Sequence, residues 1–178
     1  KYDNKFKERI LINNLNTSIS NFYFSKDSTS AVINSLSFNE RCGLKLNSLT
    51  SDFKMTHNQI YLKGLAMEVD QSVINTDYLA FNYKDLSAFK TYADDVAMDI
   101  ILKNTTLDLK TLGYIAPKFS KSDLKFKLNG VFEGPLRDLK AKYLTVVSQK
   151  GETSATIINA RFYGLPDVDN TNIYAEVE

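Results

Sequence analysis

The sequence predicts a mainly β protein built on an elongated antiparallel sheet, with one or two short helical turns. Three observations support this fold class. Apolar and polar residues alternate with a period of two along several segments, helix-period segments are nearly absent, and a short apolar motif recurs along the chain. With 178 residues, of which 43% are hydrophobic, the chain is long enough for one domain and too short for two full ones.

The clearest alternation lies between residues 124 and 132. Its apolar positions are Leu124, Phe126, Leu128, Gly130 and Phe132, and the polar residues between them are Lys125, Lys127 and Asn129. Because successive side chains of a strand point to opposite faces, this segment is expected to have one apolar and one polar face. We interpret its lysines as part of a solvated face, with attraction to anionic lipid as the alternative.

Four further segments show the same alternation and predict further strands. Their apolar positions, in chain order, are Ile60 and Leu62; Leu79, Phe81 and Tyr83; Leu139, Ala141 and Tyr143; and Thr156, Ile158, Ala160 and Phe162. Only residues 86–92 and 111–116 have a spacing that favours helical turns, and Pro117 would end the second of them.

An aliphatic motif with the spacing i, i+2, i+5 occurs four times. The copies are Ile10-Ile12-Leu15, Leu44-Leu46-Leu49, Ile60-Leu62-Leu65 and Leu107-Leu109-Leu112. Residues i and i+2 share one face of a strand, whereas residue i+5 would lie on the other face, so a turn or β-bulge must intervene. Repeated strand–bend–strand units stack into an elongated sheet, because no unit can bury its apolar face alone.

Charge and composition exclude several classes of protein. The chain has 22 basic and 21 acidic residues, so it lacks the basic excess expected of a nucleic-acid binder. A single cysteine, Cys42, and a single histidine, His57, exclude an intrachain disulfide, a cysteine-based zinc cluster and a His-pair metal site. We therefore expect a protein that is not an enzyme and that needs no cofactor or metal.

The remaining candidate sites have simpler interpretations as turns. His57 lies in a polar stretch between two predicted strands, without a nucleophile motif, and is expected to be an exposed turn residue. Asp167, Asp169, Thr171 and Glu178 have the spacing of oxygen ligands in a calcium-binding EF-hand loop. However, Asn172 stands where such a loop needs glycine, so we expect a turn that leads into a last strand.

Several segments, taken in order, carry a resemblance to a known family. Residues 38–49 contain Glu40, Cys42 and Gly43 before an alternating Leu-x-Leu-x-x-Leu run, and residues 53–74 continue with Ile60-Tyr61-Leu62-Lys63-Gly64-Leu65. Residues 107–117 resemble an L-x-D-L-x-Y-F-x-P segment, with Lys110 in place of the usual Asp. Residues 128–139 and Gly164-Leu165-Pro166-Asp167 match the pattern L-x-G-x-x-x-G-x-L-x-x-L … G-L-P-D. In this order, the segments resemble the AsmA/TamB-like translocation and assembly module family of Gram-negative envelopes.

The resemblance implies a fold, a place and a function. The family's sheet is curled lengthwise into a trough-like groove, and its members are anchored in the inner membrane and reach across the periplasm. By this resemblance, the chain would be a periplasmic fragment of a longer protein whose groove shields the acyl chains of phospholipid on the way to the outer membrane. The alternative is a structural or protein-binding β scaffold that assists the assembly or secretion of outer-membrane proteins, with an outer-membrane β-barrel as partner.

The expected domain organisation is a single module over residues 1–178, and the fragment is expected to be monomeric. Residues 1–37 would end a preceding repeat, and residues 38–117 and 118–178 would form successive groups of strands. Apolar positions expected to line the groove are Ile60, Leu62, Leu65, Leu124, Phe126, Leu128 and Phe132. Positions expected in structural turns are Gly130, Gly134, Gly164, Pro166 and Asp167. In a closed sandwich, the same apolar residues would instead form the core.

Overall fold

The computed structural model describes residues 11–114, 117–149 and 153–178, and most of these residues lie in ten strands. The strands are β1 (Ile12–Phe24), β2 (Ser28–Glu40), β3 (Lys45–Thr56), β4 (Gln59–Val69), β5 (Ser72–Asn82), β6 (Ala97–Asp108), β7 (Lys125–Pro135), β8 (Asp138–Ser148), β9 (Ser154–Tyr163) and β10 (Asn172–Val177). Short helices are α1 (Tyr92–Asp95), α2 (Leu109–Leu112) and the 3-10 helices Leu86–Thr91, Pro117–Phe119 and Val168–Asn170.

The ten strands form one antiparallel sheet in which the spatial order equals the sequence order. Every strand from β2 to β9 pairs with the strand that precedes it and the strand that follows it. β1 and β10 stand at opposite edges, and the sheet does not close into a barrel. The predicted fold class, mainly β with an antiparallel sheet and short helical turns, is confirmed.

β-Bulges near the middle of many strands switch the face to which side chains point. In β4, Gly64 adopts a φ of 60°, and the pairing with β3 shifts its register between Thr50 and Asp52. The extra residue returns Leu65 to the face of Leu62, where Leu65 is only 3% exposed. The bend predicted for the Ile60-Leu62-Leu65 motif is therefore present, and its cause is a bulge at a glycine.

The same device recurs in later strands and corrects two predicted alternations. Tyr143 in β8 has a φ of 52° at a register shift and is 73% exposed, whereas Leu144 is buried. The bulge places Leu144, not Tyr143, on the face of Ala141. In β9, Ile157 takes the position expected for Ile158, because the register with β10 shifts at this point.

Two other copies of the aliphatic motif differ from expectation or lie partly outside the described residues. Leu107-Leu109-Leu112 does not form a strand–bend–strand unit, because β6 ends at Asp108 and α2 begins at Leu109. Asp108 causes this change of structure, since its carboxylate accepts a hydrogen bond from the backbone N–H of Lys110 and caps the helix. In the first copy, Ile10 lies outside the described residues.

Helical turns occur at both predicted places. Leu86–Thr91 and α1 form one continuous helical segment, and α2 begins two residues before the predicted 111–116 turn, of which residues 115 and 116 lie outside the described residues. Asp85 caps the first segment by accepting a 2.8 Å hydrogen bond from Ser87 N–H.

The expected boundary between residues 37 and 38 falls inside β2, so the sheet continues across it.

Four of the five expected turn positions lie at chain reversals. Gly134 is the second-last residue of β7, next to the reversal at residues 136 and 137; its φ is 106°, and an added Cβ would stand 2.8 Å from the Asp138 carbonyl oxygen. Gly164, cis-bonded Pro166 and Asp167 form the turn after β9, where Gly164 N–H donates to the Arg137 carbonyl. Gly130, in contrast, lies inside β7 and not in a turn. A Cβ there would approach Leu144 Cα to 3.1 Å, so glycine allows close packing of β7 on β8.

Candidate functional site

An unbroken row of apolar side chains crosses nine neighbouring strands. Residues directly opposite each other in an antiparallel pair lie on the same face of the sheet, so the register defines this row. Its members, one from each strand from β2 to β10, are Ala31, Phe53, Leu62, Leu79, Ile100, Phe132, Ala141, Ala160 and Ala175. We call this set the central row, and the face that carries it the apolar face.

Parallel rows extend the apolar face along the strands. One row consists of Phe24, Thr29, Met55, Ile60, Phe81, Met98 and Gly134, and it continues into Leu139, Phe162 and Ile173 on the last strands. Beyond the bulges, the face continues through the rows Leu49–Met67–Ile74 and Leu128–Val146–Ala155. None of these rows contains a charged residue.

The structure brings most of the predicted lining residues onto this face. Leu62 and Phe132 are members of the central row, and Ile60 stands in the next row, beside Phe81. Leu65, Phe126 and Leu128 lie on the other side of the bulges, and Leu128 pairs with Val146. Leu124 differs from the others because it precedes β7 and is 58% exposed, so it is not part of the sheet.

Sequence reasoning missed several residues that the structure places on the apolar face. Ala31 and Phe53 lie in segments without clean alternation, because charged and polar residues interrupt them. Leu144 was missed since a bulge shifts its position by one residue. Two signals in the sequence mark such bulges, namely Gly64 and Asn104, which are residue types that tolerate positive φ.

One end of the apolar face is covered by the helical segment formed by Leu86–Thr91 and α1. Tyr83, Ala88 and Val96 form a buried cluster there, and Ile60 and Phe81 pack against it. Tyr83 donates a 3.1 Å hydrogen bond from its hydroxyl to the Thr56 carbonyl, and burial raises the pKa of this phenol. The segment thus closes the face beyond the row that contains Ile60.

The helical segment is attached to the turn between β7 and β8. Arg137 donates from Nε and Nη2 to the two carboxylate oxygens of Asp94, at 2.5 and 3.2 Å. Its backbone N–H also donates to the Ala93 carbonyl at 2.8 Å. Because the carboxylate favours the charged guanidinium, the pKa of Arg137 is raised. These contacts hold a segment that otherwise rests on a small apolar cluster.

A buried polar cluster lies where β5 begins and β6 ends, at the end of these strands that is away from the helical segment. Asp108 is 1% exposed, and Lys125 Nζ lies 3.2 Å from its carboxylate. Ser72, also fully buried, accepts a hydrogen bond from Asp108 N–H and donates one to the Thr111 hydroxyl. The cluster is self-satisfied, which suits a structural role at the base of α2.

Charged side chains are concentrated on the opposite, polar face. A representative row is Lys54, Tyr61, Ala80, Asp99, Glu133, Lys140, Arg161 and Tyr174. Arg161 forms a bidentate ion pair with Asp138, and Lys142 bonds to Glu133. Arg161 and Lys142 are thus paired with carboxylates, as expected for a solvated face.

In the part of the chain that the structure describes, no group of three or more His, Cys, Asp and Glu residues could hold a metal ion. Asp167, which begins the sequence pattern of an EF-hand, instead accepts hydrogen bonds from Asn170 and Thr171 within the turn after β9. No helix among the described residues is long and apolar enough to span a membrane.

Comparison with known proteins gives no match to a family model, and no curated protein and no solved structure is significantly similar to this chain.

Proposed function

We propose that the apolar face shields the acyl chains of phospholipid or fatty acid, as a module of a periplasmic, inner-membrane-anchored envelope protein that moves lipid toward the outer membrane. The observation that carries this proposal is the central row. Nine consecutive strands contribute an apolar residue to it, and the helical segment covers only the row of Ile60 and Phe81 at one end.

The absence of a second layer supports binding of a ligand more than an ordinary core. Over residues 11–114, 117–149 and 153–178, the ten strands form a single sheet in which each pairs only with its neighbours in sequence, and no second sheet packs on the apolar face. Neighbours within the sheet bury Ala31, Ala141 and Ala160 and half-bury most other members of the central row. A contiguous apolar surface that no second layer covers usually marks a binding site. An extended hydrocarbon chain matches its elongated form.

The many weak contacts that the apolar face can make with an acyl chain would allow lipid to bind and still move along it. Each buried CH₂ of an acyl chain contributes about 0.8 kcal/mol, so a long chain is held firmly in sum. No member of the central row is polar, and dispersion contacts are individually weak. A chain can therefore slide along the row without breaking any single strong contact.

Adjacent isoleucines in β6 provide a matched test. Ile100 belongs to the central row, whereas Ile101 faces Tyr78 and Val131 on the polar face. A photoreactive benzophenone amino acid at position 100 should crosslink to phospholipid in cells, and the same group at position 101 should crosslink several-fold less.

Solvent extraction and native mass spectrometry of the purified protein should also find bound phospholipid or fatty acid. Equal crosslinking from both positions, or a protein that is free of lipid and does not take up a dansyl-labelled fatty acid, would contradict the proposal. A lipid-free result would favour the structural or protein-binding scaffold instead.

A further inference from the structure

The helical segment turns small residues inward and large apolar residues outward. Its buried residues are Ala88 and Ala93, which are 8% and 7% exposed. Its large apolar residues are Leu86, Phe89 and Tyr92, which are 55%, 38% and 47% exposed, and we call these three the outer patch. Surface helices normally bury their large apolar residues and leave polar ones outside. Packing of the segment onto the sheet therefore does not explain the outer patch.

The residues of the outer patch are neighbours along the segment. Leu86–Thr91 is a 3-10 helix, in which side chains three residues apart eclipse each other. Leu86 and Phe89 have this spacing, and Tyr92 follows Phe89 at the same spacing, at the start of α1. The three side chains therefore form one exposed apolar surface.

The outer patch is continuous with the apolar face. Phe89 contacts Tyr83 edge to face, with the two ring centroids 5.1 Å apart. Tyr83 in turn belongs to the buried cluster against which Ile60 and Phe81 pack. Aromatic and aliphatic side chains thus connect the outer patch to the row that contains Ile60 and Phe81.

Further strands at the edges of the sheet would not cover the outer patch. The helical segment connects β5 to β6, which are the middle pair of the ten strands. Neighbouring strands are about 4.8 Å apart, so each edge strand lies about 19 Å from this pair. The exposure of the outer patch therefore does not depend on what pairs with β1 or β10.

Charged groups around the outer patch balance one another. The three cations are Lys84, Lys90 and Arg137, and the three anions are Asp85, Asp94 and Asp95. Each carboxylate has a local partner, which is the Arg137 guanidinium for Asp94 and a hydroxyl group of the segment for the other two. The two lysines are exposed, so their long side chains can reach phosphate groups. Outward Leu, Phe and Tyr with flanking lysines are typical of segments that lie in a membrane interface.

We propose that the outer patch inserts into the surface of a phospholipid bilayer, and that acyl chains pass from the bilayer over Phe89 onto the apolar face. This membrane contact rests on the proposed function, because it is the place where lipid enters or leaves the apolar face. Since the local charges balance, burial of the three side chains provides the affinity, and attraction to anionic headgroups contributes little. So small a contact is reversible, as an exchange of lipid requires.

Fluorescence tests the insertion directly, because the chain contains no tryptophan. In Tyr92→Trp, vesicles of phosphatidylcholine should shift the emission to shorter wavelength, and phospholipid brominated on its acyl chains should quench it. Tyr143→Trp is the matched control, because Tyr143 is an exposed tyrosine of β8, and it should show neither effect. Addition of phosphatidylglycerol should change binding by less than about twofold. No shift at position 92, or equal shifts at both positions, would overturn the membrane contact.

Transfer of lipid separates the membrane contact from the acyl-chain site. Leu86→Ser together with Tyr92→Ser should slow uptake of a fluorescent phospholipid from vesicles by about fivefold or more, because the bilayer is no longer held. Uptake of a dansyl-labelled fatty acid from solution should not change. Leu124→Ser together with Tyr143→Ser is the matched control at residues that are 58% and 73% exposed, and it should change neither rate. Urea denaturation should show native stability for both double variants, since all four side chains are exposed.

Failure of the membrane contact and failure of the acyl-chain proposal give different results. If the tryptophan at position 92 stays in water while position 100 still crosslinks to phospholipid, the membrane contact is overturned and the proposed function stands. If the outer patch binds vesicles but the protein takes up no fatty acid, the acyl-chain proposal is overturned and the membrane contact stands. Variants of the outer patch that alter self-association in sedimentation, without any effect on vesicles, would assign the patch to a second copy and overturn the membrane contact.

Discussion

Thr105 in β6 bonds twice to the backbone of Asn75 in β5. Its hydroxyl accepts a 3.1 Å hydrogen bond from Asn75 N–H and donates one of 3.1 Å to the Asn75 carbonyl. The two bonds stand where the register between β5 and β6 shifts, so a side chain replaces the ladder bonds that the bulge interrupts. A neighbouring threonine, Thr76, is equally buried, but its hydroxyl has no hydrogen-bond partner.

This contrast predicts opposite effects of the same substitution. Thr105→Val should lower the free energy of unfolding by about 1–3 kcal/mol, because it leaves two buried backbone groups without partners. Thr76→Val should raise it by about 1 kcal/mol, because a methyl group replaces an unsatisfied hydroxyl between Leu65 and Leu102. Urea denaturation of both variants measures the difference. Destabilisation by Thr76→Val would show that its hydroxyl has a partner, such as water.

Gly64 provides a second prediction, which concerns the backbone of the bulge. A Cβ at this position would meet nothing within 4 Å, so only the positive φ opposes a side chain. Gly64→Ala should therefore destabilise the protein by about 1 kcal/mol, and Gly64→Asn should cost clearly less, because asparagine tolerates the left-handed region. Equal stability of the two variants in urea denaturation would show that the φ at residue 64 is not the determining factor.

How far the sequence predicts this fold depends on whether a strand contains an inserted residue. Leu128 and Phe132 alternate correctly because β7 has no insertion, and their face was predicted from period two alone. In β8 the insertion at Tyr143 moves Leu144 to the apolar side, and nothing at Tyr143 marks a positive φ in the sequence. Alternation predicts the face of a residue only up to the next bulge.

The order of the strands can be predicted from the sequence, but the extent of the apolar face cannot. Short connections favour pairing of sequence neighbours, which here holds from β1 to β10. Alignment of Phe53, Leu62 and Leu79 into one row, in contrast, depends on the register of each pair. Bulges and turns together set that register, so it cannot be predicted from the sequence of any single strand.

The ion pair between Asp94 and Arg137 predicts how firmly the helical segment is held. Asp94→Asn should speed hydrogen exchange of the amides in Leu86–Thr91 and α1 by no more than about fivefold, because a solvent-exposed ion pair contributes little. Global stability should change little. Asp77→Asn, which removes an exposed ion pair with Lys103 in the sheet, is the matched control and should leave these amides unchanged. Identical exchange in both variants would show that the ion pair does not hold the segment, which would then depend on the Arg137 N–H bond to Ala93 and on packing against Ile60 and Phe81.

Glu40 predicts a loss of stability in acid. Its carboxylate accepts hydrogen bonds from the N–H groups of Cys42 at 2.5 Å and Leu11 at 3.1 Å. The hydrogen bond from the Cys42 thiol is the main cause, followed by those from the N–H groups of Cys42 and Leu11, and together they lower the pKa of Glu40 from 4.5 to about 2. Since the folded state has the lower pKa, the contribution of Glu40 is complete above pH 4.5 and is lost as the pH falls toward 2.

Glu40→Gln removes this titration. The variant should be less stable than the native protein at pH 7 in urea denaturation, and the gap should shrink steadily between pH 4.5 and pH 2. A gap of the same size at pH 7 and pH 2.5 would mean that the carboxylate charge does not stabilise the connection between β2 and β3.

Because Glu40 also holds Leu11, the residue before β1, loss of its charge should loosen the start of that strand first. Faster hydrogen exchange at the first amides of β1 than at those near Phe24, measured on Glu40→Gln at pH 7, is the expected signature.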